Sequence, residues 1–511
     1  MLESDIDKAE RLISQGEIEA AAGVIRPVLS KNFEDTMGLL LAADVEMGRE
    51  RNDSARGFVG KALSSNLDGP RTALKLLQVL ARLSESGLMI EISRQIPPRQ
   101  WDSAMSLSRV SQLLMSVGAF DAALTFAEAA VARDAKYQPG LYSLATLKTF
   151  FGEHQEAAEL CRQCLTLLPD DPSSYWLLSR LRQPGAGDRI DRLKPLLAAS
   201  QSPEDRAWLA YALHNELHDQ GDADASWSAL AAACDAKRPK ALPLIEKQNE
   251  IFDALREAED WNTDRAGHAS TDLRAIFVIG LHRSGTTLAE QILAGHSKVA
   301  SGGETYDLRA QLRRVSALHF RHELDTRVVG RRRELDYAAL GEHYLRGMSW
   351  RAAGKPYVTD KLPSNYFNVG FIARALPESR FIHLVRDPID VGFSSLRTLF
   401  SHAAPYSYAQ QDFIAHHHRY RELMSSWHAR LPGRIMDVRY DDLVREPESM
   451  ARQMAEFVGL DFEPGMIQLE TRTGAVATAS SVMMRDGIRK DRGKIWKPYE
   501  RHLAPLIQAF T

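Results

Sequence analysis

The stretch "RAIFVIGLHRSGTTLAEQIL", residues 274–293, constrains the fold more than any other part of the 511-residue chain. "RAIFVIG" is a short unbroken apolar run, the pattern of a strand buried on both faces, and "TTLAEQILAGH" opens a helix a few residues later. A strand that enters a helix through a glycine turn belongs to a layered α/β sheet. Gly280 and Gly285 stand at the glycine positions of the phosphate-binding pattern G-x-x-x-x-G-K-S/T, and Thr287 fills its hydroxyl position. Thr286 occupies the lysine position, and Arg283 lies inside the loop.

The absent lysine narrows the chemistry. Moving a γ-phosphoryl group gathers several negative charges, which Mg²⁺ and the loop lysine neutralise. A sulfuryl group carries less charge, so one or two cationic side chains suffice and no metal is required; Arg283 is one such cation. The turn's backbone N–H groups and the helix N-terminus make an anion cradle. Ser284, Thr286 and Thr287 add hydroxyl donors, and Gly285 lets the backbone approach closely. Farther on, "RFIHLV" and "RIMDVRY" read as two more buried strands separated by helical stretches. The second half is therefore expected to be an α/β domain with a central parallel sheet and helices on both faces.

With these residues in hand, the chain resembles the sulfotransferases that use 3′-phosphoadenosine-5′-phosphosulfate (PAPS). "GLHRSGTTLAEQIL" is similar to their P-loop-like 5′-phosphosulfate loop, and "LVRDPIDVGFSSL" resembles their 3′-phosphate motif, with Arg386 and Ser394 in place. "VRYDDLVREPE" resembles the segment bordering the adenine, with Tyr440 at that position. "RKDRGKIWK" is similar to the closing R-K-G-x-x-G-D-W-K stretch; it keeps Arg489, Lys490, Trp496 and Lys497, while Asp491 and Lys494 replace the two glycines.

The resemblance implies roles. Arg283, Ser284, Gly285, Thr286 and Thr287 would hold the 5′ phosphate, and Arg386, Ser394, Arg489 and Lys490 the 3′-phosphate. Glu304 in "VASGGETYDL" would take the proton of the acceptor hydroxyl. Lys361 in "YVTDKLPSNYF", with Arg283, would stabilise the charge that develops on the leaving phosphate. Ser480 or its neighbour Ser481 would lie near the sulfuryl group. His282 reads as a surface histidine or an acceptor contact. The implied activity is PAPS-dependent transfer of a sulfuryl group to a hydroxyl, either of a protein tyrosine or of a small molecule, lipid or glycan. Tyr306 stands where the tyrosylprotein branch has arginine, so a preference for the same acidic peptides does not follow.

The first half has a different texture. "VGAFDAALTFAEAAVARDA" and "FGEHQEAAELCRQCLTLLP" superimpose with a shift of 34, setting Gly118 on Gly152, Ala123 on Ala157, Ala127 on Cys161 and Ala130 on Cys164. This spacing resembles the tetratricopeptide repeat (TPR), two antiparallel helices per unit. Weaker copies surround Gly16, Ala55 and Gly221, and "RLRQPGAGDRID" interrupts the register. The expected organisation is an α-helical TPR solenoid over residues 1–245, a linker over 246–272 and a sulfotransferase domain over 273–511. The whole chain then looks like the bacterial TPR sulfotransferases, with the repeats expected to bind a peptide or partner protein or, in the alternative reading, to act as a rigid spacer.

Charge and cysteines bound the alternatives. The net charge of −3 divides into about +8 for residues 273–511 and about −11 for the rest, which suits a polyanionic ligand of the second half. No nucleic acid is expected as a partner. Cys161, Cys164 and Cys234 are too few for a disulfide framework, and the first two fill alanine positions of the repeat. His416, His417 and His418 are consecutive on a helix and face different ways, so they offer no metal site. The start has no basic, then apolar, leader pattern, and nowhere do about 18 apolar residues run uninterrupted, so a cytoplasmic protein without membrane insertion is expected. Two other readings stay open. A P-loop kinase or ATPase would need a Mg²⁺-holding acid, for which Asp387 is the candidate, and a non-enzymatic TPR scaffold would carry a decayed nucleotide fold.

Overall fold

The computed structural model describes residues 3–65, 67, 69–259, 261, 272–400, 403–471, 474–476 and 494–511. Ser480, Ser481, Arg489 and Lys490 lie outside the described residues. The described residues divide into two compact units: 3–140 and Thr305–Trp350 belong to one, and 141–261, Asp272–Glu304 and Arg351–Thr511 to the other.

The first unit is helical. Ala104–Ser116 and Phe120–Arg133 form a hairpin that turns at Gly118, whose φ of 75° is a conformation a β-carbon resists. Ala123, Ala127 and Ala130 are completely buried, small residues where the helices come close. Residues 305–350 pack against the early helices. Arg51 bridges Leu318 in antiparallel fashion, the Asn52 amide donates to the Ala317 carbonyl at 3.2 Å, and Ser86 Oγ donates to Asp307 Oδ1 at 2.8 Å.

In the second unit, the same hairpin recurs at Gln138–Phe151 and His154–Leu167, closed by Gly152 at φ 82°. Ala157, Cys161 and Cys164 take the fully buried positions. Burial pushes the thiols up, Cys164 to about 11 and Cys234 to about 12, which is the behaviour of packing cysteines. The interrupted register appears as a short helix, Pro172–Arg180, before Ala186–Ala199 and Pro203–Asp219. The helix Ala223–Glu257 then runs on, so residues 246–257 of the span read as linker are helical.

The sheet follows. Among the described residues its strands are β1 (Arg274–Gly280), β2 (Val299–Ala300), β3 (Tyr357–Asp360), β4 (Arg380–Val385) and β5 (Ile435–Arg439). All are parallel, in the order β2-β3-β1-β4-β5. β1 is buried at every position after Arg274, as its apolar run requires. One face packs on Leu288, Ile292 and Leu293 of the helix Thr286–Ala294 and on Met450, Ala451 and Met454 of the helix Pro447–Phe457. From β1 the chain first builds one side of the sheet, then crosses to the other, so the order reverses beside β1. Ligands of open α/β sheets bind at the carboxyl edge of such a switch point.

The late repeat helices dock onto this domain within the same unit. Tyr211 donates its hydroxyl hydrogen to the Leu396 carbonyl at 2.9 Å, and Arg397 Nε donates to His214 Nε2 at 2.9 Å. Among the described residues no helix is long and apolar enough to cross a membrane.

The turn glycines differ from the helical ones. Gly118→Ala forces a β-carbon into the left-handed region and is expected to lower stability by about 1 kcal/mol. Gly57→Ala, on an exposed helical position with nothing within 4 Å of the new methyl, is expected to raise it by about 0.5–1 kcal/mol. Paired thermal melts check the opposite signs.

Candidate active site

All five parallel strands run out at one edge, and a sequence-predicted site residue follows each of them. Arg283 comes after β1, Glu304 after β2, Lys361 directly after β3, Arg386 directly after β4, and Tyr440 directly after β5. Residues far apart in the chain meet because parallel strands point their ends the same way.

The β1 loop is built for close approach. At Gly285, φ 108°, a β-carbon would lie 2.4 Å from Tyr440 Cδ2, so only glycine lets the ring sit against the loop. Arg283 itself takes φ 73°. Its Nε donates to Ser394 Oγ at 3.0 Å, and Arg386 Nη1 donates to the Arg283 carbonyl at 3.4 Å. The Arg386 guanidinium lies 4.1 Å over the Tyr440 ring. Burial, with the neighbouring charges of Arg386, Arg180 and Arg397, pulls the Arg283 pKa down to about 10. Such crowding of like charges is relieved by an anion. Ser284 Oγ is buried with no hydrogen-bond partner, and Thr286 and Thr287 are buried beside it at the helix start. A buried hydroxyl without a partner carries a desolvation penalty that a bound anion removes.

The last described segment reaches the same place. The Lys494 amide donates to Asp390 Oδ1 at 2.9 Å, and Asp390 lies 3.6 Å from Arg386. Lys494, which replaces a glycine of the resembling motif, still adopts φ 59°, so the backbone keeps the glycine-like conformation.

On the other side of β1, Lys361 Nζ donates to Glu304 Oε1 at 2.6 Å. The lysine side chain is completely buried and that of Glu304 is 37% exposed, so the carboxylate is the accessible member of the pair. The neighbouring Asp360 accepts from Asn365 Nδ2 at 3.0 Å. Glu290, buried in the loop helix, gathers the Glu304 segment. Its Oε1 accepts from Ser301 Oγ, the Gly303 amide and Thr359 Oγ1 at 3.0, 2.8 and 2.9 Å. Sequence reading passed over Glu290, which is one acidic residue on an amphipathic helix; a buried position in the loop helix was its only signal.

His282 is not a surface histidine. It is buried, because the loop folds it under Phe400 and Tyr406. Nδ1 lies 3.2 Å from the Tyr406 hydroxyl, and Nε2 is buried with no hydrogen-bond partner. Burial lowers its pKa to about 4; Glu304 opposes this, and Lys361 and Arg283 reinforce it. His282 therefore stands among the residues on both sides of β1. The histidine run diverges: His416 Nε2 meets the Tyr366 hydroxyl at 2.9 Å, His417 packs on Phe510, and His418 is exposed. Asp387 is engaged as a helix N-cap, accepting from the Ile389 and Asp390 amides at 2.9 and 3.0 Å.

Residues 275–464, which hold this edge of the sheet, match the model of the sulfotransferase family. This segment is a sulfotransferase-family domain. The chain is 29% identical over 384 residues to an uncharacterized protein of Aquifex aeolicus, covering 72% of this chain and 49% of that protein. It is 23% identical over 249 residues to the protein-tyrosine sulfotransferase of Drosophila melanogaster, covering 46% of this chain and 48% of that protein. It is also similar to the sulfotransferase domain from the Synechococcus PCC 7002 olefin synthase, at 20% identity and a TM-score of 0.34, covering 49% of this chain and 97% of that one. The chain spans about half the length of the curated relatives it matches.

The buried histidine of the sulfotransferase domain sets a pH dependence. With its folded pKa lowered from 6.5 to about 4, His282 contributes stability that is complete above about pH 6.5 and lost as pH falls toward 4. Melting temperature is expected to fall over that window in the native chain and to fall less steeply in His282→Gln.

Proposed function

We propose that the chain transfers a sulfuryl group from PAPS to an acceptor hydroxyl. The observation that carries this reading is the lysine-free loop. Its arginine turns to Ser394 beside Arg386, and its Ser284 hydroxyl is buried without a partner. These residues fit a nucleotide with phosphates at two ends. Arg283, Ser284, Gly285, Thr286 and Thr287 would hold its 5′ side, Arg386 and Ser394 its 3′-phosphate, and Tyr440 its base, with Arg489 and Lys490 completing the 3′ side. When bound, PAPS supplies an activated sulfuryl group that needs no metal to leave.

The chain's own residues divide the remaining work. The Glu304 carboxylate, the exposed member of its pair, accepts the proton of the acceptor hydroxyl. Protonation removes the counter-charge from buried Lys361, whose ammonium is then released to stabilise the oxygen on which negative charge develops. The ion pair thus links base and electrostatic stabiliser. Ser480 is assigned to the sulfuryl side on the resemblance alone. The acceptor is proposed to be a tyrosine hydroxyl of a peptide presented by the repeats, with lipid, glycan and small-molecule hydroxyls as the other acceptor classes. The 23% identity to a protein-tyrosine sulfotransferase supports that order.

Calorimetry with adenosine 3′,5′-bisphosphate is expected to show tight binding, and magnesium–ATP none; the reverse result would overturn the proposal. Arg283→Ala and Lys361→Ala are each expected to lower turnover by about 10²–10³. Glu304→Gln is expected to lower kcat by about 10²–10⁴ while leaving bisphosphate affinity intact. Incubation with labelled donor and a peptide library reads the acceptor.

A further inference from the structure

We propose that His383, His428 and Asp437 form a binding site for one divalent transition-metal ion, with Zn²⁺ as the best fit. The three residues come from rigid elements. His383 on β4 and Asp437 on the edge strand β5 are register partners, and His428 lies in the last turn of the helix Gln410–Arg430 that covers them. His383 Nδ1 and His428 Nε2 converge on the same carboxylate oxygen, Asp437 Oδ1, at 2.7 and 2.9 Å. One ligand atom from each residue can be chosen so that all lie within 4.8 Å of one another. Tetrahedral zinc with bonds of about 2.0–2.1 Å spaces its ligand atoms about 3.3 Å apart, so only a small opening of the present contacts is needed.

The chemistry of the set selects the ion. Two imidazole nitrogens and one carboxylate suit zinc and its neighbours, whereas magnesium and calcium prefer oxygen donors. The ring orientation is already held. With Nδ1 on the ion, the remaining His383 Nε2 faces the Tyr420 hydroxyl, the kind of outer partner that fixes a ligating histidine. The set is also open on one side. His383 is buried, but the His428 side chain is 36% exposed and that of Asp437 51% exposed, leaving room for water as a fourth ligand.

An ion there does work that hydrogen bonds do less well. A protonated pair of histidines would put two positive charges on one carboxylate, while a bound ion satisfies both rings in their neutral form. It also ties the edge strand β5 and the covering helix to β4. The site is separate from the residues proposed to transfer the sulfuryl group, so it stands or falls independently of that reaction.

The tag-free full chain, stripped with chelator, is titrated with Co²⁺ and then Zn²⁺. The expected result is one Co²⁺ per chain with the intense visible bands of four-coordinate cobalt, displacement by Zn²⁺, and a higher melting temperature in zinc. His428→Ala and Asp437→Asn, both at part-exposed positions, should abolish uptake and the melting shift, while His418→Ala on the same helix should leave them unchanged. X-ray absorption on the zinc-loaded native chain should show two imidazoles with oxygen ligands. Absence of saturable uptake by the folded native chain, uptake retained in both His428→Ala and Asp437→Asn, or a coordination shell with fewer than two imidazoles would overturn the proposal.

Discussion

Cations crowded into buried surroundings are the constraint on which the rest of this structure depends. Arg283, Arg386 and Lys361 all sit at the carboxyl edge of one sheet, and the pKa of the first of them is lowered by burial and then by the charges of its neighbours. Charges removed from water need partners or a frame that holds them apart. The frame here is the parallel sheet: strand ends point one way and are fixed by ladders on both sides, so the side chains cannot drift. The Glu304–Lys361 pair and the Arg283–Ser394 contact are the local solutions on either side of β1.

Much of this edge was readable in advance. β1, β4 and β5 are apolar runs long enough to stand out, and the loop with its two glycines marks the switch point without any structure. β2 and β3 were not readable. β2 has two residues and β3 four, too short for periodicity, and each is a strand only because a neighbour offers a free edge. The glycine turns at 118 and 152 were legible because the left-handed conformation leaves a residue-type signature.

What escaped the sequence depends on contacts that have no spacing rule. Glu290 looks like any polar helical residue until three donors are seen converging on one of its oxygens. His282 reads as exposed because loops usually are; its burial comes from Phe400 and Tyr406, more than a hundred positions later. His383, His428 and Asp437 likewise share no motif, and only strand register and a covering helix bring them together. The packing of residues 305–350 with the early helices is of the same kind, since the backbone bridge between Arg51 and Leu318 joins segments of unrelated texture.

The docking of the late repeat helices bears on how this chain can be divided. Tyr211 and His214 reach the carboxyl end of the helix that presents Ser394, through the Leu396 carbonyl and the Arg397 guanidinium. His218 Nδ1 and Ser226 Oγ both meet the Tyr499 hydroxyl, at 2.7 and 3.0 Å. These bonds make the helices between residues 203 and 257 a buttress of the anion edge. A cut placed where the sequence changes texture would strip that buttress and leave apolar and hydrogen-bonding surface bare, so excision of the sheet alone sacrifices the very stiffness that keeps Ser394 in line with Arg283.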